Sequence, residues 1–157
     1  MSVPESELRR VLAAARPRLD AIPDAVASLP RAPGKWSRKE IVGHLIDSAS
    51  INHERFVRAQ FTEELICPAY DQDAWVAAQN YRAAPWTELV ALFTRLNLHI
   101  ANVMDSCPAE IRSRPRLHHN LHQVSFNAVP ASEPATLEYF MRDYVVHLEH
   151  HLAQILG

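Results

Sequence analysis

The sequence predicts an all-α protein, a four-helix bundle, because four long stretches repeat their apolar residues at the helical period. Glycine and proline agree with that reading. Three glycines in 157 residues are too few for a sheet built on tight hairpins, or for a glycine-rich phosphate loop. The eleven prolines fall mainly between the helical stretches, where they separate elements rather than break them. With 48% of its residues hydrophobic the chain can bury one core, so a single domain over residues 1–157 is expected. A formal charge of -2, with lysine and arginine dispersed, leaves no electrostatic footprint for nucleic acid or an anionic membrane. Cys67 and Cys107 lack a C-x-x-C spacing and suggest a reducing compartment. The charged opening MSVPESELRR has no apolar signal core and no run approaches membrane-spanning length, so a cytoplasmic protein is expected.

The first helix is expected over residues 4–28, with Leu8, Val11, Leu12, Ala15, Leu19 and Ile22 as its stripe. Pro17 and Pro23 mark a kink or an early end. After a turn at residues 31–34 comes the sharpest local signal, Trp36 to Ile41. Ser37 and Glu40 are spaced as a capping box, and Trp36 is placed to staple onto Ile41. That start sets the rotation of a second helix, residues 38–60, which buries Ile41, Leu45, Ser48, Ala49, Asn52, Phe56 and Ala59. His44 lies at the inward flank of this face, about 80° from its centre, and His53 on the far, solvated side. Tyr70 to Val76 opens a short helix with Asp71 or Asp73 near its N-terminus. Thr87 is the expected cap of a third long helix that ends near Asp105. Its stripe is Leu89, Leu92, Phe93, Leu96, Ile100 and Val103, interrupted by Asn97 and His99, which read as surface or hydrogen-bonded core groups.

The chain is organised around its last stretch, Thr136 to Gly157. Thr136 caps it, and Leu137, Phe140, Met141, Tyr144, Leu148, Leu152 and Ile155 share one face. His147 and His151 lie on that face one turn apart, whereas His150 points about 130° away. An inward histidine carries a polar nitrogen into apolar surroundings and must find a partner there. Two of them at i and i+4 can converge on one point, the arrangement that suits a metal ion; two core histidines bonded to backbone or water are the alternative. Bundles build metal sites from side chains on facing helices, and His44 is the third imidazole available. Three neutral imidazoles suit a divalent ion such as Zn, Ni, Fe or Mn and leave coordination positions open.

Asp47 and Asp143, each one turn from a candidate ligand, are placed to bond a free ring nitrogen, or else are solvated helix acids. Tyr70 and Gln72 are candidates for the pocket mouth. Residues 115–134 lose the helical pattern and hold His118, His119 and His122. Their spacing fits no helix or knuckle, so the segment reads as a lid more readily than as a primary metal site.

Two motifs carry a family resemblance. Trp36-Ser37, Glu40-Ile41-Val42-Gly43-His44-Leu45-Ile46-Asp47-Ser48-Ala49, then Asn52-His53 and Arg55-Phe56, resemble the signature helix of the DinB/YfiT-like metalloenzyme superfamily. Asp143-Tyr144 and His147-Leu148-Glu149-His150-His151-Leu152 resemble its last helix. The resemblance implies an up-down-down-up bundle with a divalent metal on His44, His147 and His151, and often a homodimer. It implies an enzyme that activates water or a low-molecular-weight thiol for a small-molecule substrate, a hydrolase or thiol S-transferase. The alternative is a non-catalytic bundle in which the metal only ties helices together, a dimeric binding module.

Overall fold

The computed structural model describes residues 2–157; Met1, the first residue of the expected domain, lies outside the described residues. In chain order the helices are α1 (Pro4–Asp20), α2 (Asp24–Ala27), α3 (Arg38–Arg58), α4 (Gln72–Gln79), a 3-10 turn (Tyr81–Ala83), α5 (Trp86–Ser106), α6 (Ala109–Ser113), α7 (Leu121–Val124) and α8 (Leu137–Leu156). Among the described residues there is no strand, only isolated bridges. No helix is long and apolar enough to cross a membrane.

The four long helices α1, α3, α5 and α8 form the bundle. Each packs on two others, in the cyclic order α1, α5, α3, α8. Polar contacts between their ends fix the directions. Arg18 near the end of α1 and Arg38 at the start of α3 both donate to carbonyls at the end of α8, those of Leu156 and Ile155. Thus α1 runs with α8 and α3 runs against it. Trp86 at the start of α5 donates its indole N–H to Leu19 O at the end of α1, so α5 runs against α1. The order is up-down-down-up, so the parallel pair α3 and α5 requires a long crossover, residues 59–85; a second one, residues 107–136, joins the diagonal, antiparallel pair α5 and α8. Apolar side chains from all four helices close the core, among them Leu8, Leu45, Phe56, Phe93, Ile100 and Met141, each at most 1% exposed. Full burial of a side chain of this kind contributes roughly 1.5–3 kcal/mol.

Helix starts follow local chemistry in two cases and distant chemistry in a third. At α3 the Ser37 hydroxyl accepts from Glu40 N–H at 3.2 Å and Glu40 accepts from Ser37 N–H at 2.7 Å, a complete capping box. At α8 the Thr136 hydroxyl accepts from Tyr139 N–H. The expected Thr87 cap of α5 is not formed; Pro85 takes the cap position and the helix begins at Trp86. The carboxylate that accepts the Trp86 N–H, at 2.8 Å, comes from Asp24 at the start of α2, which also pairs with the buried Lys39 at 3.0 Å. These partners hold the Asp24 carboxyl below its usual range, the Trp86 N–H most of all.

The first helix also departs from expectation. Pro17 is accommodated within α1, which stops at Asp20, and Pro23 then precedes the separate α2. His53 is half-buried rather than solvated, with its ring 5.1 Å from that of His99. Nor is the 115–134 segment loose. Leu65 N–H donates to His118 O, Asn120 N–H donates back to Leu65 O, and the Asn120 amide brackets the Cys67 backbone at 2.9 and 2.7 Å. The two crossovers are thereby sewn together across one end of the bundle.

Candidate metal centre

Three imidazoles meet where α3 faces α8. His44, His147 and His151 each offer a ring nitrogen, and the three lie within 4.8 Å of one another, the set of this kind found among the described residues. The His44 ring stands 5.2 Å from that of His147 and 4.7 Å from that of His151, nearly perpendicular to both. Nε2 of His44 lies 3.3 Å from Nε2 of His147. Ligand bonds of about 2.0–2.1 Å at a tetrahedral angle put two nitrogens roughly 3.4 Å apart, so the spacing suits one shared cation. His150, on the outer side of α8, is exposed and does not join them.

The capping box sets the pitch of α3 and so turns His44 inward, where it is 1% exposed beneath the Trp36 ring at 5.3 Å. Trp36 reaches two turns into the helix rather than serving Ile41 alone. Burial disfavours the imidazolium, and each histidine repels protons from its neighbours. His44 is lowered to about 4, by burial and then by His151. His147 is lowered to about 3, by burial and then by the other histidines. His151 is lowered too, chiefly by burial. Three neutral imidazoles at neutral pH are the protonation state a divalent ion needs.

Gln154 presets one of them, a role that only its position three residues past His151 could have hinted at. Its amide donates to His150 Nε2 at 3.2 Å, which turns its oxygen toward His151 Nδ1 at 2.9 Å. His151 therefore carries its proton on Nδ1 and keeps the Nε2 lone pair free. Nothing does the same for His44, whose Nδ1 is buried without a partner.

The two acids considered as histidine partners are engaged elsewhere. Asp47 is buried and accepts from the Tyr81 hydroxyl at 2.6 Å and Gln79 at 2.7 Å. Tyr81 comes close because Gly43 leaves room; a Cβ there would stand 2.1 Å from its ring. Asp143 accepts the backbone N–H groups of Phe126 and Asn127 at 2.6 and 2.7 Å. It thus holds the second crossover against α8, with the Phe126 ring 5.4 Å from His147 and 5.2 Å from His150. Of the crossover histidines, His119 is buried and consumed by backbone: Nε2 lies 2.7 Å from Glu133 O, and Nδ1 accepts from Leu121 N–H. His118 and His122 are exposed.

A cavity of about 250 Å³ opens beside the triad, lined by His44 and His147, by Ser48, Asn52 and Arg55 of α3, and by Tyr70 and Gln72. A larger groove of about 680 Å³ adjoins it through Arg55 and Tyr70.

The fold has relatives among known proteins. The DinB superfamily model matches residues 7–155, and the chain belongs to that superfamily. Among individual relatives, the Bacillus subtilis (strain 168) protein named "Putative metal-dependent hydrolase YfiT" is 24% identical over 148 residues, spanning 94% of this chain and 78% of its own. The solved structure of YfiT, described as an unusual four-helix bundle topology, superposes with a TM-score of 0.76, covering 97% of this chain and 81% of that one. A mycothiol-dependent maleylpyruvate isomerase shares the fold with a TM-score of 0.70 at 11% identity; this chain spans 63% of its length.

Proposed function

We propose that His44, His147 and His151 bind one divalent metal ion and that the chain is a metal-dependent enzyme, a hydrolase or a thiol S-transferase. The observation that carries the reading is the convergence of three neutral imidazole nitrogens within 4.8 Å, beside a cavity. A divalent ion held there supplies Lewis acidity, the means of ionising a water or a small thiol near neutral pH. The protein's own part is to hold His151 in one tautomer through Gln154, to keep His44 neutral by burial, and to shield the site with Phe126 and Trp36. Ser48, Asn52, Tyr70 and Gln72 present neutral polar groups to whatever enters.

Two features favour an enzyme over a metal that merely ties helices. His119 and His122 lie outside the cluster and supply no fourth ligand, and His44 and His147 line a cavity rather than packed side chains. The family match over residues 7–155 supports reading the chain as one domain. The name of YfiT supports the hydrolase reading, and the mycothiol-dependent neighbour supports the thiol reading.

Cobalt(II)-substituted protein, purified without a histidine tag, tests this. Its visible spectrum should respond to pH and to added thiols or anions. A spectrum indifferent to all of them would mean a closed, structural site and would end the enzyme reading.

A further inference from the structure

Arg55 is a buried cation without a counter-ion. It lies 11 residues beyond His44 on α3; at about 100° per residue that is within roughly 20° of three full turns, so the two share a face. Ser48 and Asn52 complete the row, and all four line the cavity beside the triad. Helical side chains lean toward the helix N-terminus, which carries the guanidinium back toward the histidines. Nη1 donates to Asn52 Oδ1 at 3.4 Å, and Nη2 to Pro68 O at 2.6 Å. Nε is buried with no partner. A guanidinium has five N–H donors, so most are unspent, although the residue is 6% exposed. None of the ion pairs among the described residues includes Arg55.

The acid in the cavity wall does not answer it. Both oxygens of Asp143 are taken by the Phe126 and Asn127 backbone and the Asn127 amide, at 2.6 to 3.0 Å. The Phe140 ring, with its centroid 5.8 Å from Arg55 Cζ, supports the guanidinium on one side. Asn52 is itself oriented by donating to Ser48 O at 2.8 Å, so its oxygen stays with Arg55. The result is a held, largely buried guanidinium in a cavity wall shared with neutral polar groups, with the engaged Asp143 and with His44 and His147.

We propose that this cavity takes a small carboxylate substrate, its carboxylate seated on Arg55 and its reacting end at the histidine triad. Guanidinium and carboxylate match in shape and pair through two parallel hydrogen bonds, which would use the idle donors and supply the absent charge. The cavity, about 250 Å³, has room for a small molecule. A neutral isostere leaves the largely buried cation unpaired, and that difference is the basis of selection. Placing the reacting end at the triad rests on the metal reading above; the carboxylate seat does not.

The seat is tested in the full chain after metal has been removed, so that no ion competes for the probe. The Arg55 Nε–H resonance is followed by NMR while acetate and butyrate, then acetamide and butyramide, are added. The acids should shift it saturably and bind at least about tenfold more tightly than the amides. In Arg55→Met saturable acid binding should vanish, and Arg55→Lys should restore it in part. Because Arg55 also holds the Pro68 carbonyl, the acid-against-amide comparison in the unaltered protein decides the matter if the variants do not fold. Equal binding of acid and amide, no saturable shift, or preference for inorganic phosphate would overturn the proposal. Acid binding in a protein that takes up no metal would leave the seat standing and remove the triad reading; metal uptake without acid binding would do the reverse.

Discussion

The chain carries two histidine clusters, and they come to opposite ends. His118, His119 and His122 are closer in sequence than His44, His147 and His151, yet only the second set brings three nitrogens together. The difference lies in what each histidine is mounted on. The 115–134 crossover has to satisfy its own backbone, so it spends His119 on Glu133 O and Leu121 N–H and leaves the other two in solvent. The backbones of α3 and α8 satisfy themselves, so their histidines are free to face each other at positions set by helix rotation. A metal site needs side chains whose hydrogen-bonding duties have been met elsewhere.

The largest test of that contrast is metal content across a histidine series. His147→Ala or His151→Ala should abolish stoichiometric metal, while His150→Ala and His122→Ala should retain it, by elemental analysis. Equal loss at His147 and His150 would show that helix rotation does not select the ligands. Gln154→Ala sharpens the comparison within α8: loss of the tautomer lock should weaken metal affinity about 10- to 100-fold with little change in melting temperature. In the crossover the outcome should invert. His119→Ala should cost about 1–3 kcal/mol of stability by stranding backbone groups, read from the urea midpoint, with metal stoichiometry unchanged.

The helix-borne set should also show in the acid response of the metal-free protein. With His44 at about 4 and His147 at about 3, both below the ordinary 6.5, the unfolded chain takes up protons first as pH falls. Stability should therefore decline below about pH 6.5 and go on declining toward pH 4. His147→Gln should flatten that decline in urea titrations run at several pH values; an unchanged slope would mean that this imidazole is not held neutral. The smallest effect belongs to the element that orients His44. Ser37→Ala should cost about 1 kcal/mol, and an unchanged melting temperature would remove Ser37 as the cap.

What could be read in advance was whatever a helix settles by itself. The apolar stripes of α3 and α8, the capping box, the inward flank of His44 and the outward turn of His150 depend on residues within a few positions of one another, whereas the α5 stripe was set wrongly: Leu92 is exposed, and Val90, Ala101 and Met104 are buried instead. Features joining distant segments were illegible for that reason. The Asp24 carboxylate at the start of α5 stands 62 residues from the N–H it accepts, and Asp47 turns to Tyr81 rather than to a histidine. Gly43 stands in the sequence only as one residue of a motif, and the Tyr81 ring that fills the space of its absent Cβ comes from a distant turn. Arg55 was quoted only as part of a motif; its missing counter-ion is visible only once every neighbour is in place.

If the bundle presents the three histidines ready-made, without help from an ion, metal binds to a chain that is already folded. The direct measurement is calorimetric titration of zinc into chelator-stripped protein, with helix content followed by circular dichroism before and after. One ion should bind per chain, to a protein that is already helical, with no gain of helix on loading, because the apolar stripes close the core unaided. A stripped protein that has melted and refolds only as zinc is added, or one that takes up no zinc at the triad, would contradict it.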